Sequence, residues 1–201
     1  MKKWLPLIII AGILLIVSFW GVGVYNKMIE MRGQGQVSWA NVESSYQRRA
    51  DLIGNLVKTV QGAADFEKST LTDVINARAK ATSVTIDPSN ISAANVAQFQ
   101  QAQAGLTGAL SKLLVSVERY PDLKANQNFL ELQSQLEGTE NRINVARDRY
   151  NSAAGEYNIY IQYLPERFIA SIGGFEGLPL YESKEGSDEA PDVNFDFNNK
   201  N

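Results

Sequence analysis

The most regular pattern of apolar and polar positions in the chain lies in residues 129–164. Core-type positions recur there at alternating steps of three and four residues, at Phe129, Leu132, Leu136, Thr139, Ile143, Ala146, Tyr150, Ala153, Tyr157, Tyr160 and Leu164. A 3.5-residue repeat sustained over five heptads is typical of a helix in a coiled coil or helical bundle. The pattern therefore predicts one long helix, which Pro165 ends or kinks.

Two earlier stretches have similar helical spacing. The first covers residues 39–79, with a kink expected near Gly62, and the second covers residues 99–120. A turn signal, Asp-Pro-Ser-Asn at 87–90, separates them. Because no stretch alternates as a β-strand does, we predict an all-α fold. Its main part is expected to be an antiparallel bundle of three to four long helices joined by short turns.

The first 25 residues have a different pattern, a continuous apolar run with no charge from Trp4 to Tyr25. In a helix this run spans roughly 30 Å, the thickness of bilayer hydrocarbon. It is longer than a signal-peptide core and no A-x-A cleavage site follows it, so we predict a retained transmembrane helix. Lys2 and Lys3 precede the run, and the positive-inside rule then favours a bundle outside the cytoplasm.

These patterns divide the chain into five segments. We predict a basic flank at 1–3, a transmembrane anchor at 4–25, a membrane-proximal linker at 26–36, a helical bundle at 37–180 and a disordered acidic tail at 181–201. The linker is expected because two glycines in residues 31–36 favour fraying or bending. The tail carries six acids against two bases, a composition typical of disorder. The apolar stretch 167–181 is expected to fold back on the end of the bundle.

The stretch RYPDLKAN at residues 119–126 interrupts the helical pattern with a proline. Pro121 disfavours a helical conformation for the residue before it, so we predict a corner between two helices. The alternative caps of the next helix are Asn126, Asp122, or Asn128 with Glu131 in a capping box. Glu118 and Asp122 also suggest a carboxylate pair for acid–base or metal chemistry. No third acid or histidine accompanies them, and we interpret the corner as structural.

The composition excludes several classes of function. The chain of 201 residues has no cysteine and no histidine, which excludes thiolate catalysis, Ser-His-Asp triads and Cys/His zinc sites. Its net charge of −3 does not indicate nucleic-acid binding. We therefore predict no cofactor, no metal and no enzymatic activity.

Two polar groups are candidate interaction residues. The first group lies on the earliest bundle helix and comprises Arg48, Arg49, Asp51 and Asn55. It suits either an anionic partner or lipid headgroup, or ion pairing between helices. The second group lies beside the heptad seam and comprises Tyr150, Asn151, Tyr157 and Asn158. Its two asparagines are seven residues apart and share one stripe of the helix, which is our best candidate for a binding surface.

Four stretches carry a family resemblance when taken in order. They are YNKMIEMR after the anchor, RRADLIGNLVKTVQGAA at 48–64, ERYPDLKANQNFLELQSQLEGTENRINVARDRYN at 118–151 and LPERFIASIGGFE at 164–176. The set resembles the LemA family of bacterial membrane-anchored helical proteins, so that the bundle at 37–180 is LemA-like. One departure is Gly54, where the family pattern has proline. The resemblance implies one N-terminal membrane helix and long antiparallel helices, and it implies no agreed enzymatic activity.

From these features we expect a non-enzymatic, single-pass protein of the cell inner or plasma membrane. It is expected to act as a scaffold or adaptor in the bacterial envelope. The expected partners are the lipid bilayer and an unknown protein or another copy of the chain, with no nucleic acid. The alternative is a lipid- or peptide-binding bundle of the cell envelope, with its ligand held between helices.

Overall fold

The computed structural model describes residues 4–62 and 66–181, and these residues form six helices and no strand. The helices are α1 (Leu5–Gln61), α2 (Lys68–Ser83), α3 (Ala93–Val117), α4 (Pro121–Lys124), α5 (Gln127–Tyr160) and α6 (Glu166–Gly173). The all-α prediction is thereby confirmed. The predicted flank at 1–3 and the predicted acidic tail after Tyr181 lie outside the described residues.

A single helix, α1, joins the apolar N-terminal run to the rest of the fold. Its 57 residues extend roughly 85 Å at 1.5 Å per residue, and it passes without a break through Gly54. Most apolar side chains between Leu7 and Val22 are exposed, and this part is long and apolar enough to cross a membrane. A continuous helix suits that role because it satisfies its own backbone hydrogen bonds.

The fraying predicted as one alternative for residues 31–36 does not occur, because α1 continues through this stretch as a helix. Each interior glycine costs a helix about 1 kcal/mol relative to alanine. Tertiary packing offsets this cost, since Met28 and Trp39 on either side are fully buried. Gly35 also lies where another part of the chain approaches closely: a Cβ at this position would lie 2.5 Å from Leu178 Cδ1. Here the glycine makes room for a tertiary contact.

Helix α5 lies along α1 and runs in the opposite direction. Trp39 on α1 packs edge-on against Tyr150 on α5, with ring centroids 5.0 Å apart. Farther along α1, Arg49 pairs with Glu140, which is earlier on α5. The predicted antiparallel relation of long neighbouring helices is therefore present in this pair, which has the most extensive helix–helix contact in the described chain.

Helix α3 runs in the same direction as α1, and α2 reverses the chain between them while contacting both. The direction follows from two contacts in sequence order. Tyr46 packs edge-on against Phe99 with centroids 5.1 Å apart, and Arg49 donates to Thr107 at 2.7 Å. The C-terminal end of α3 consequently lies at the end of the fold farthest from the apolar run of α1.

The buried side chains form two clusters along the length of α1. The cluster nearer the apolar run is rich in aromatic residues and includes Met28, Trp39, Tyr46, Phe99, Ile143, Tyr150 and Tyr157. The distal cluster is mainly aliphatic and includes Ile53, Leu56, Val60, Val74, Leu106, Leu113 and Leu136. The heptad positions of α5 thus contribute to both clusters, as the 3.5-residue repeat predicts.

The stretch 119–126 is a structural corner, as predicted, and contains the short helix α4. Of the three predicted caps for the next helix, the structure uses one. The Asn126 side chain accepts from the backbone N–H groups of Asn128 and Phe129, at 3.0 and 3.2 Å, and therefore caps α5. Asn126 suits the cap because its backbone is extended, whereas Asp122 lies inside α4 and Asn128 inside α5.

Helix α5 ends one turn earlier than its repeat predicts. The last helical residue is Tyr160, and the predicted heptad position Leu164 is exposed. Pro165 explains the difference, because in a continuing helix its ring would clash with the carbonyl of Ile161 and it has no N–H to donate to that carbonyl. The short helix α6 follows and ends at Gly174, whose positive φ of 67° permits the sharp change of direction that leads back along α5.

Two alanine substitutions test the packing around α1. Gly33→Ala should raise the free energy of unfolding by roughly 0.5–1 kcal/mol, because a Cβ there meets no other atom within 4 Å. Gly35→Ala should lack this gain and lower stability, because its Cβ displaces the buried Leu178 side chain. Thermal unfolding followed by circular dichroism in detergent micelles compares the two variants. Equal effects of the two substitutions would contradict the close approach at Gly35.

Candidate functional site

An extended segment, residues 176–181, lies along α5 and is held by two asparagine side chains. Asn158 donates its amide to the carbonyl oxygen of Leu178 at 2.8 Å and accepts from the N–H of the same residue at 2.7 Å. Asn151 makes the same pair of bonds with Tyr181, at 2.9 and 2.7 Å. Each asparagine therefore pairs with both backbone groups of one residue.

Two tyrosines add a second type of contact, and each immediately precedes one of the asparagines. Tyr157 donates to the carbonyl of Glu176 at 3.0 Å, and Tyr150 donates to the carbonyl of Pro179 at 2.6 Å. Burial raises the pKa of Tyr150 to about 12 and also raises the pKa of Tyr157, so both hydroxyls stay protonated donors over the physiological range. We name the segment 176–181 the strap, and we use the name Tyr-Asn clamp for Tyr150, Asn151, Tyr157 and Asn158.

The repeat of the clamp matches the repeat of the strap. Asparagines seven residues apart on a helix are separated by roughly 10.5 Å along its axis. Leu178 and Tyr181 are three residues apart in an extended chain and are therefore separated by about 10 Å. The two spacings coincide, so the same set of hydrogen bonds forms twice. Because the clamp pairs with backbone groups, it positions an extended chain without selecting its side chains.

Selectivity for particular side chains comes from the surface under the strap. Leu178 and Tyr181 are buried, and the Tyr181 hydroxyl shares a hydrogen bond of 2.7 Å with the Tyr46 hydroxyl. The Arg147 guanidinium lies 4.1 Å from the centroid of the Tyr181 ring, a cation–π contact. A Cβ at Gly177 would lie 3.0 Å from Oδ1 of Asn158. The site thus accommodates glycine, a branched apolar residue and an aromatic residue at 177, 178 and 181.

The stripe that the sequence indicates as a binding surface is therefore occupied by the chain itself. Tyr150 and Tyr157 are fully buried and the two asparagines are half-buried. The fold-back predicted for 167–181 is observed, but the pairing of the strap with the stripe is not a sequence prediction. Its one local signal is GLPLY at 177–181, in which glycine and proline disfavour helix and two apolar residues are three apart.

Arg49, from the first candidate group, is a buried structural residue. Its side chain is 6% exposed, and its Nη1 lies 3.1 Å from a carboxylate oxygen of Glu140 on α5. Its Nη2 donates to the hydroxyl of Thr107 on α3 at 2.7 Å. Arg49 therefore ties α1 to two other helices and does not belong to an open interaction surface, which corrects its place among the candidate surface residues.

The other members of that group, Arg48, Asp51 and Asn55, are exposed on α1. Within the described ranges, Asp51 pairs with neither Arg48 nor Asn55. Asp51 instead accepts from Gln47 at 3.1 Å and from Arg78 of α2 at 3.3 Å. The longer-range bond is favoured because it joins two packed helices, and at this exposure it stabilises them by about 1 kcal/mol or less.

A polar groove between α1 and α5 contains part of this exposed group. Two adjoining depressions of about 470 Å³ each share Arg142, and the first is also lined by Arg48 and the second by Arg149. Asp51 is the one acid among the residues that line them. We name this feature the arginine groove. Its positive lining suits an anionic group on a partner.

Comparisons with known proteins relate the chain to one family. The sequence model of the LemA family matches residues 38–195. Magnetosome protein MamQ 2 of Paramagnetospirillum magneticum is 28% identical over 181 residues, which cover 82% of this chain and 66% of that protein. MamQ of Magnetospirillum gryphiswaldense is 26% identical over 183 residues, with the same coverage of 82% and 66%. The chain thus spans just under two thirds of the length of these magnetosome proteins.

A further relative is Protein LemA of Metamycoplasma hominis, which is 26% identical over 175 residues, covering 86% of this chain and 76% of that protein. The fold and the site define a membrane-associated helical protein in which one helix carries both an apolar span and one wall of a polar groove. The match over 38–195 covers most of the chain. The chain belongs to the LemA family, and the predicted family resemblance is confirmed.

Removing one half of the clamp should release the strap. Asn158→Ala deletes both hydrogen bonds to Leu178, each worth about 1 kcal/mol, so the Leu178 amide should exchange with solvent at least about tenfold faster. Hydrogen exchange of the full chain in micelles, followed by mass spectrometry or NMR, measures this rate. The matched control is Asn144→Ala, an exposed asparagine of the same helix. Unchanged exchange in the Asn158 variant, or equal acceleration in both, is incompatible with a clamping role.

Substitutions of the two partners in the Arg49–Glu140 ion pair should have unequal effects on stability. Glu140→Ala should destabilise the fold by about 1–2 kcal/mol, because it leaves the buried Arg49 charge without its counter-ion, and solvent at the half-exposed Glu140 reduces the loss. Arg49→Met should cost about 1 kcal/mol or less, because a side chain of similar volume fills the site and the half-exposed Glu140 returns to water. Chemical denaturation in micelles measures both variants. A larger cost for Arg49→Met would show that the ion pair stabilises the fold beyond its desolvation penalty.

Proposed function

We propose that this LemA-family protein is a non-enzymatic, single-pass scaffold of the cell membrane that holds a partner protein or another copy of itself. In this proposal α1 is the anchor, and α1, α2, α3 and α5 form an antiparallel bundle that carries the docking surface. The observation that supports it is the continuity of α1 from Leu5 to Gln61. The helix that enters the bilayer is also the helix on which the other helices pack.

Helix continuity matters for a scaffold because it removes a flexible joint. A helix bends only gently along its length, so the orientation of the bundle follows the orientation of the apolar run of α1. A glycine-rich coil between the apolar run and the bundle would let the bundle sample many orientations. A partner on the bundle is then held at a defined height and angle above the membrane. We place the bundle outside the cytoplasm at the inner or plasma membrane, on the basis of the lysines that precede the span.

The proposal that the protein is not an enzyme rests on the surroundings of its acidic residues. Glu118 and Asp122 are the carboxylates that most resemble a catalytic pair in sequence. In the fold, Glu118 forms an ion pair with Lys124 across the corner. In residues 4–62 and 66–181, no group of three or more acids is placed to hold a metal ion. These features support a structural role for the corner.

The arginine groove is the surface that we propose for the docked partner. It lies between α1 and α5, the two helices that are in most extensive contact, so its walls are rigid. Arg48 and Arg142 are exposed in it, and their guanidinium groups suit carboxylates or phosphates presented by a partner. Complementary charge of this kind favours fast association and correct orientation of the partner.

Site-specific photo-crosslinking in intact membranes tests the scaffold proposal. A photoreactive amino acid replaces Val145, an exposed residue that lines the groove, so that the arginines stay in place. Val115, an exposed residue at the distal end of α3, serves as the control position. The proposal predicts a discrete crosslinked product from position 145 and none from position 115. Two copies with different tags identify self-association by a product with both tags and a mass near twice 22.2 kDa. No discrete product from position 145 would count against this docking surface.

The second candidate function is peptide binding, which the Tyr-Asn clamp favours. Backbone-directed contacts suit any extended chain of the right pattern, and the strap of another copy has that pattern. The test places the photoreactive residue at Leu180, whose side chain is exposed on the strap. Crosslinks between differently tagged copies would support exchange of straps. Crosslinks confined to single chains would exclude exchange and leave the clamp as an internal structural device.

A further inference from the structure

The short helix α6 lies beside the last part of the apolar run of α1. Ile169 of α6 is 3.6 Å from where a Cβ would lie on Gly21, and Phe175 packs edge-on against Tyr25 with centroids 5.1 Å apart. The first charged residue of α1 after this stretch is Lys27. If α1 spans a bilayer with its uncharged run, α6 is therefore at the level of the membrane surface.

One side of this corner is apolar and exposed. Phe168 and Ile172 are four residues apart and share one face of α6, and Tyr163 and Leu164 precede the helix. Their exposed fractions are 65%, 86%, 58% and 72%, and Ile172 is the most exposed large apolar residue in the described chain. The opposite face of α6 buries Ala170 against the core. The corner is therefore amphipathic, and its apolar face is not covered by the described part of the chain.

The position of this apolar face indicates what covers it. The corner that carries it packs against α1 at Gly21 and Tyr25, within the stretch where the exposed aromatic residues Phe19, Trp20 and Tyr25 end the apolar run. Aromatic side chains concentrate at the boundary between hydrocarbon and headgroups, and short amphipathic helices lie there with their apolar face toward the acyl chains. A bilayer that surrounds α1 reaches the corner at that level. A protein partner would have to occupy space that the headgroups already fill.

We infer that the α5–α6 corner is a second membrane contact, in which Tyr163, Leu164, Phe168 and Ile172 insert into the headgroup–acyl boundary of a phospholipid bilayer beside α1. This inference rests on the proposed anchoring by α1. A bundle anchored by one helix can tilt with that helix, whereas a second contact with the membrane surface at its base restricts the tilt.

The absence of cysteine makes the test direct, because single-cysteine variants carry a spin label at one defined position. The full chain is reconstituted in vesicles of phosphatidylcholine and phosphatidylglycerol. Collisions of the label with oxygen, which partitions into lipid, are compared with collisions with a water-soluble nickel chelate. Phe168→Cys and Ile172→Cys report on the corner. Val115→Cys is the matched control, because Val115 is 72% exposed and lies at the distal end of α3.

The inference predicts that labels at 168 and 172 have a ratio of oxygen to nickel accessibility several-fold higher than the label at 115. A label at Ile13→Cys, within the apolar run, tests the anchoring itself. If position 13 is in lipid but positions 168 and 172 resemble 115, the second contact is wrong and the anchor stands. If position 13 is also in water, the anchoring is wrong and the inference fails with it. All four substituted positions are exposed in the fold, and circular dichroism verifies that each variant keeps its helicity.

Discussion

A chain that crosses a bilayer must pair each backbone N–H and C=O within the membrane, and α1 does this as an uninterrupted helix. The same helix continues to Gln61 and serves as the element against which α2, α5 and α6 pack. The rest of the fold is therefore arranged on a single helix. In the proposed anchoring, a bend in α1 near Tyr25 would change the position of every other element relative to the bilayer.

The side of the α1–α5 pair near Gly35 is closed by an extended segment and not by another helix. An extended chain makes no internal backbone hydrogen bonds, so each buried N–H and C=O needs a partner from elsewhere. The Tyr-Asn clamp supplies these partners from α5 at a spacing that suits the strap. This explains why polar residues border the apolar seam: Asn151 and Asn158 replace the water that the strap excludes.

The long helices could be predicted from the sequence because burial along a helix is periodic. Leu136, Ile143, Tyr150 and Tyr157 lie seven residues apart, and all four are buried in the fold. The same reasoning found the stripe that carries Asn151 and Asn158, since spacing alone places residues on one face. Its occupant could not be predicted in this way, because contacts with backbone groups leave no side-chain pattern in the partner segment.

Two of the failed predictions share one cause, which is that tertiary contacts outweigh local preferences. The glycines in 31–36 favour fraying or bending, but Gly35 is the position at which Leu178 approaches α1. Arg49 looks like a surface charge, because local sequence does not reveal that Glu140 and Thr107 lie opposite it. In both cases the deciding partner is distant in sequence. Neither helix propensity nor hydropathy contains that information.

The proposed anchor, the strap and the proposed membrane contact of the α5–α6 corner all involve the same pair of helices, α1 and α5. Helix α5 contributes the clamp, one wall of the arginine groove and, at its C-terminal end, the turn into α6. Lipid contacts at the corner would therefore act directly on the helix that carries the docking surface. Since α1 forms the other wall and is the proposed anchor, both walls of the groove would be tied to the membrane. A scaffold of this kind would hold its partner at a defined tilt, which a bundle on a flexible linker would not do.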